Sequence, residues 1–125
     1  MSTRSDASFL NDVPLACAKI ERIVSGILQD SFFRDEIRQA AVLHHLTVIG
    51  EAIHRLAPVL KQKYPDIPWQ QIVSVRHRIA HAYFDLDWQI LWTSAKEDVP
   101  ELGVRVTEIL RNEFGSEIAT LEDLS

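Results

Sequence analysis

Apolar residues recur at helical spacing through most of the chain, and this period is the strongest restriction on its fold. Between Phe9 and Leu28 the recurring apolar positions are Phe9, Val13, Ala16, Cys17, Ile20, Val24, Ile27 and Leu28. Such spacing is typical of one face of an α-helix. Pro14 suits the first turn of a helix better than its interior, so we predict that this helix begins near Asn11 or Asp12.

The same spacing continues in a second, longer helix. Asp35 or Ser31 can cap its start, and the apolar pattern carries it to about Leu56. We expect its buried side to consist of Ile37, Ala41, Leu43, Leu46, Ile49, Ile53 and Leu56. The segment QDSFFRDE is predicted to be a break between the first two helices, and Pro58 can start a short extra turn after the second.

Prolines and an aspartate set the boundaries of the remaining helices. Two prolines bracket the loop YPDIPW, because the residue before a proline avoids the helical conformation. A third helix is predicted from Trp69 to about Tyr83. Its apolar residues are Trp69, Ile72, Val73, Val75, Ile79 and Ala80. Asp87 can cap a fourth helix, WQILWTSAKEDV, and Pro100 opens a fifth.

These segments predict an all-α fold, an up-down helical bundle of about five helices joined by short loops. The 125 residues suit a single domain, and a hydrophobic content of 46% is enough for a core. We assign residues 1–114 to this helical domain. Residues 115–125 are expected to form a flexible C-terminal tail.

Charge and cysteine content restrict the location and the partners of the protein. Cys17 is the single cysteine, which fits a reducing cytoplasm, and no apolar run approaches the ~20 residues of a membrane span. The N-terminus lacks the apolar stretch of a signal peptide, so we expect a cytoplasmic protein without a membrane partner. A net charge of −5 argues against coating nucleic acid by bulk electrostatics, but it permits a local grip on RNA.

The segment RHRIAHAYF, residues 76–84, carries more polar side chains than a buried helix face normally does. Arg76 and Tyr83 are seven positions apart and would share a face of a continuous helix. Arg76 and His81 are five apart, about 140° around the axis. An arginine to match a phosphate and a histidine to move a proton are what RNA cleavage without a metal requires. From spacing alone, a solvated or salt-bridged helix face is the favoured interpretation of the segment.

Two patterns also resemble fragments of metal sites. Glu51 and His54 have the Glu-x-x-His spacing of di-iron bundles, but those proteins need two such motifs and two further glutamates. His77 and His81 have the spacing of a zinc pair, but no glutamate follows His77. We therefore expect neither a metal site nor a cofactor.

Several motifs occur in a fixed order along the chain. They are Gly50-Glu51-Ala52, Tyr64-Pro65-x-Ile67-Pro68-Trp69, Arg76-x4-His81-x-Tyr83, Trp92 and Pro100. In this combination the chain strongly resembles the HepT-like branch of the HEPN superfamily, small helical proteins encoded beside minimal nucleotidyltransferases. The resemblance extends from the first helix to about Leu102.

The resemblance implies a function as well as a fold. The protein would be the toxin of a type II toxin–antitoxin system, a homodimer joined through its motif helices. Arg76 and His81 would form the ribonuclease site, with two copies meeting in a cleft at the interface. The cognate minimal nucleotidyltransferase antitoxin would neutralise it by transferring AMP onto Tyr83, which adds bulk and negative charge where RNA phosphate should lie.

One position departs from the common pattern of this branch, and one role stays open. His77 stands where asparagine is usual, and it could support His81 or share its proton transfers. Glu51 could orient Arg76 through a bidentate contact or form a plain structural ion pair. The alternative to a ribonuclease is a non-catalytic helical subunit that binds or regulates a nucleotidyltransferase, with Tyr83 as a modification acceptor.

Overall fold

The computed structural model describes the backbone of residues 4–124 and the side chains of residues 4–115. Helices make up its regular structure, and no strand forms within that part of the chain. The α-helices are α1 (Asp6–Val24), α2 (Gln29–Phe33), α3 (Glu36–His54), α4 (Pro58–Lys63), α5 (Trp69–His81), α6 (Trp88–Thr93) and α7 (Val99–Leu124). The prediction of an all-α bundle is confirmed.

The core lies where the long helices meet. Helix α1 packs against both α3 and α7, and α5 packs against α3. Residues that are almost wholly buried come from these contacts, among them Leu10, Val13, Ile20, Val42, Ile49, Ile53, Val106, Ile109 and Leu110. Burial of each such side chain stabilises the fold by roughly 1.5–3 kcal/mol. No described helix is both long and apolar enough to cross a membrane.

Helix α1 begins earlier than the proline predicted. It starts at Asp6, and the hydroxyl of Ser5 caps it by accepting a hydrogen bond of 3.2 Å from the Ser8 amide. Pro14 therefore lies inside the helix. An interior proline costs about 3 kcal/mol, but the first turns bury Ala7 and Leu10 in the core. This burial outweighs the missing hydrogen bond, so the predicted start near Asn11 or Asp12 was wrong.

The predicted break between the first two helices contains the short helix α2. Its Phe32 is fully buried, with ring centroids 5.1 Å from Trp92 and 5.9 Å from Trp88. Packing of this aromatic cluster explains why five residues that looked like a loop adopt a helix. Asp35 is the cap of α3, accepting a hydrogen bond of 3.0 Å from the Arg38 amide, so Ser31 is not.

Some apolar residues of the predicted helices are exposed. Ile37, in the first turn of α3, is 84% exposed, and Val42 is one of the residues that fill the core of α3 instead. Ala80 near the end of α5 is exposed as well. Both lie in the first or last turn of their helices.

Helix α5 ends at His81, two residues before the predicted end. Ala82 still donates a hydrogen bond of 2.8 Å to the Arg78 carbonyl, but its φ of −130° and ψ of 36° leave the helical region. Tyr83 then begins a 3₁₀ turn, Tyr83–Asp85. The expectation that Arg76 and Tyr83 share one helix face was therefore wrong.

The predicted fourth and fifth helices are joined without a loop. Asp87 caps α6 as expected, because its Oδ1 accepts hydrogen bonds from the Gln89 and Ile90 amides at 3.0 and 3.2 Å. A π-helical segment, Ser94–Asp98, leads directly into α7, and the Val99 amide bonds to the Ser94 carbonyl five residues back. Pro100 has no amide hydrogen for an ordinary helical bond, which favours this wider turn.

Phe114 has non-helical backbone angles inside α7, φ −138° and ψ 37°. The kink falls next to the start of the predicted tail, residues 115–125. Apart from Gly115, the side chains of that tail lie outside the described residues, so its flexibility stays a prediction.

We expect Phe32→Ala to lower the free energy of unfolding by roughly 3–5 kcal/mol, because it removes a fully buried ring from between two tryptophans. Denaturant unfolding followed by tryptophan fluorescence measures the change. Ile37→Ala, at an 84% exposed position, is the control and should stay within about 0.5 kcal/mol of wild type. Equal destabilisation by both variants would contradict the packing described for α2.

Candidate active site

The site begins where α3 crosses α5 at Gly50. A β-carbon at this position would lie 2.6 Å from the Cβ of Arg76. Real Cβ atoms do not come that close, and the Arg76 Cβ is fixed to the backbone of α5, so it cannot swing aside. Gly50 therefore lets the two helices approach closely at the residue that carries the motif arginine.

Glu51, the next residue of α3, contacts Arg76 across this crossing. Its Oε2 lies 2.9 Å from the Arg76 Nε, and its Oε1 accepts a hydrogen bond of 2.9 Å from the Arg55 Nε. The hydrogen bond from Arg55 is the main cause of a lowered pKa of the Glu51 carboxyl. Burial is the next largest influence and raises that pKa, while the charges of Arg76, Arg55 and His54 each lower it by less.

His77 and His81 lie side by side on α5. Their ring centroids are 6.2 Å apart and their planes differ by 16°. Both side chains are exposed to solvent. The i, i+4 spacing thus gives two nearly parallel imidazoles on one face, within reach of a single bound group.

Arg76 and His81 are not in contact with each other. Within the described residues, no hydrogen bond, ion pair or ring contact joins them. The helical period turns the two side chains about 140° apart.

Tyr83 lies just past the end of the helix that carries both histidines. Its side chain is 51% exposed, and its ring packs edge-on against Phe84 at 5.5 Å. Phe84 is itself 96% exposed.

A groove of about 680 Å³ runs beside this site but does not include it. Its walls come from α5 and the start of α7, with Ile72, Val75, Val99 and Leu102 among the lining residues. Of the charged residues on α5, Arg78 lines the groove, whereas Arg76 and the histidines do not. The motif residues therefore lie outside this groove.

The fragments of metal sites seen in the sequence do not assemble. Among the residues that the structure describes, no three His, Cys, Asp or Glu side chains converge. The Glu51 carboxylate contacts two arginines instead.

Arg55 is the member of this constellation that sequence reasoning missed. A glutamate four residues before an arginine on one helix is a readable signal for such a pair. Gly50 was noticed as part of a motif, but its close approach to Arg76 depends on the crossing of two helices and is not visible in the sequence.

Comparison with known protein families shows which family the chain belongs to. A family model described as "Ribonuclease HepT-like" matches residues 15–109. The chain belongs to this family. The match confirms the resemblance inferred from the ordered motifs.

Individual relatives of this HepT-like protein agree with the assignment. A protein of Thermococcus cleftensis named "Probable ribonuclease HepT" is 36% identical over 99 residues, which cover 79% of this chain and 90% of the relative. A "Putative RNase" of Caldanaerobacter subterraneus subsp. tengcongensis is 30% identical over 105 residues, 84% of this chain and 94% of the relative. A "Putative RNase" of Methanocaldococcus jannaschii is 31% identical over 102 residues, 82% and 94% of the two chains. No solved structure matches the chain.

Gly50→Ala should destabilise the HepT-like fold by about 1–3 kcal/mol, because the new methyl group forces α5 away from α3. Thermal or denaturant unfolding measures the effect. Gly115→Ala is the matched control, since a Cβ there meets nothing within 4 Å. Equal stability of the two variants would mean that the crossing at Gly50 is looser than described.

The lowered pKa of Glu51 makes part of the stability depend on pH. A carboxyl whose pKa falls on folding stabilises the native state above its ordinary value of 4.5, and the contribution is lost as the pH drops through the lowered value. Wild type should therefore exceed Glu51→Gln in unfolding free energy above pH 4.5, and the two should converge below it. The difference should shrink in an Arg55→Gln background, because that arginine is the main cause of the shift. A difference that grows on acidification would contradict the assignment.

Proposed function

We propose that this HepT-like protein is an RNA endonuclease that needs no metal ion and acts as the toxin of a type II toxin–antitoxin system. The observation that carries the proposal is the contact of 2.9 Å between Glu51 and Arg76. Arg76 lies on the same helix as His81. A structural ion pair alone would not require a glycine at the crossing and two nearly parallel histidines, His77 and His81, on the same helix as Arg76. Membership of the ribonuclease HepT-like family supports the same chemistry.

The proposed reaction uses the RNA itself as the nucleophile. His81 takes the proton of the 2′-hydroxyl, whose oxygen attacks the adjacent phosphorus, and the 5′-oxygen leaves with a proton. Arg76 stabilises the charge that builds up on the phosphorane. Because Glu51 contacts Arg76 through Nε, the terminal nitrogen atoms of the guanidinium stay available for phosphate oxygens. The product is a 2′,3′-cyclic phosphate.

His77 gives the reaction a second proton carrier. Its ring is nearly parallel to that of His81 at 6.2 Å, a distance at which both can reach one phosphate. One imidazole then acts as the base and the other as the acid.

A second copy of the chain completes the site. Arg76 and His81 leave α5 about 140° apart, so one copy does not present both to the same phosphate directly. In a homodimer joined through α5 and its neighbours, the arginine and histidine of the two copies meet in one cleft.

Tyr83 is the proposed switch. Its half-exposed ring lies on a turn two residues after His81. A cognate minimal nucleotidyltransferase transfers AMP to its phenol oxygen, and the added phosphate repels RNA from the site. The acidic character of the chain, with a net charge of −5, favours the second candidate, a non-catalytic subunit in which Tyr83 is only a modification acceptor.

Incubation of the protein with RNA in EDTA tests the catalytic proposal. Wild type should cleave RNA and leave the corresponding DNA intact, because DNA lacks the 2′-hydroxyl. His81→Ala should lower the rate about 10²–10⁴-fold, and Arg76→Ala by a similar order. His77→Asn should keep cleavage but alter its pH profile. No cleavage by wild type, or equal cleavage by His81→Ala, would refute the ribonuclease and leave the non-catalytic subunit.

Co-expression with a cognate minimal nucleotidyltransferase tests the switch. Mass spectrometry should find AMP on Tyr83, and Tyr83→Phe should abolish the modification while leaving RNA cleavage intact. Expression without the partner should arrest growth, and Arg76→Ala should relieve the arrest. AMP on another residue would remove Tyr83 from the account without affecting the cleavage chemistry.

A further inference from the structure

One carboxylate on α3 contacts two guanidinium groups. Glu51 Oε2 lies 2.9 Å from the Nε of Arg76, and Oε1 lies 2.9 Å from the Nε of Arg55. Within the described residues, neither arginine makes another hydrogen bond or ion pair. The terminal nitrogen atoms of both side chains are therefore without protein partners there.

The charges of this cluster do not balance. Two arginines against one glutamate leave a surplus positive charge on the face that carries the motif, in a chain whose net charge is −5. Neutralising Glu51 needs one arginine only. Arg55 is the more exposed of the two, with 51% of its side chain accessible against 31% for Arg76. The surplus charge is thus open to a ligand from solvent.

The chemistry of that ligand follows from the orientation of the side chains. An arginine bound through Nε presents its two terminal nitrogen atoms as a fork, which matches the oxygens of a phosphate. Both forks start from the two oxygens of a single carboxylate. The two guanidinium groups therefore lie beside each other, as recognition of neighbouring phosphates on one strand requires.

We propose that Arg55 binds the phosphate next to the scissile one in single-stranded RNA, at a subsite that Glu51 aligns with Arg76. This inference rests on the proposed function, in which Arg76 contacts the scissile phosphate. It deepens that function by making RNA with at least two consecutive phosphates the preferred substrate. Glu51 is then a positioning residue for two arginines rather than for one.

A purely structural role for Arg55 makes different predictions. Arg55 follows the last residue of α3, where a positive charge is favoured by the helix dipole, and it holds Glu51 in place. In that case its loss would disturb Arg76 and would affect all substrates alike. If Arg55 instead forms a phosphate subsite, its loss should weaken only those substrates that are long enough to place a phosphate there.

The first test measures binding and does not depend on cleavage. Wild type, Arg55→Gln and Arg22→Gln are titrated with a 2′-O-methylated oligonucleotide, which cannot be cleaved, at several salt concentrations. Arg22 is an exposed arginine of α1 and controls for the loss of one charge. Arg55→Gln should bind several-fold more weakly, and its plot of log affinity against log salt should be shallower by about 0.7. Arg55→Lys, which keeps the charge, should restore the slope.

The second test compares two cleavable substrates. For Arg55→Gln, kcat/KM should fall more for an oligonucleotide than for a dinucleoside monophosphate, which has no second phosphate. Arg76→Ala should lower both equally. An equal loss on both substrates for Arg55→Gln, a salt slope like that of Arg22→Gln, or no binding of the oligonucleotide by wild type would overturn the subsite. Failure of wild type to cleave any RNA would instead refute the proposed ribonuclease, while the binding test would still decide whether Arg55 contacts phosphate.

Discussion

The close approach of α3 and α5 is the constraint on which the candidate site depends. It exists because Gly50 leaves room for the β-carbon of Arg76, which would otherwise be met at 2.6 Å. This proximity brings the Glu51 carboxylate within 2.9 Å of the Arg76 guanidinium. The large core formed by α1, α3 and α7 fixes the position of α3. The geometry of this exposed site is therefore set by the close approach of α3 and α5 at Gly50 and by the buried core that holds α3 in place.

Local electrostatics at this crossing differ from those of the whole chain. The net charge of −5 would keep the protein away from nucleic acid at long range. Glu51 nevertheless gathers Arg76 and Arg55, with His54 close enough to lower the pKa of its carboxyl. A short-range cationic cluster inside an acidic protein favours selective contact with one stretch of phosphate over indiscriminate coating.

Much of the fold could be predicted from the sequence, because apolar period and capping residues act locally. Asp35 and Asp87 cap helices as expected, and the long helices follow their apolar stripes. Local rules failed where tertiary packing outweighs them. Buried side chains carry α1 through Pro14, and Phe32 makes a helix of an apparent break. For the site, the types and order of the motif residues were readable.

What the sequence could not supply was the distance between residues on different helices. The sequence left open whether Glu51 orients Arg76 or forms a plain structural ion pair, and it gave no distance for their contact, while Arg55 was overlooked. The end of α5 was also misplaced, since the departure of Ala82 from helical angles has no clear signal in the sequence. That departure has a consequence for the proposed modification of Tyr83. A group attached to Tyr83 would sit on a separate turn and break no hydrogen bond of α5. The blocked and active forms would then share one fold, and removal of the group would restore activity without any refolding.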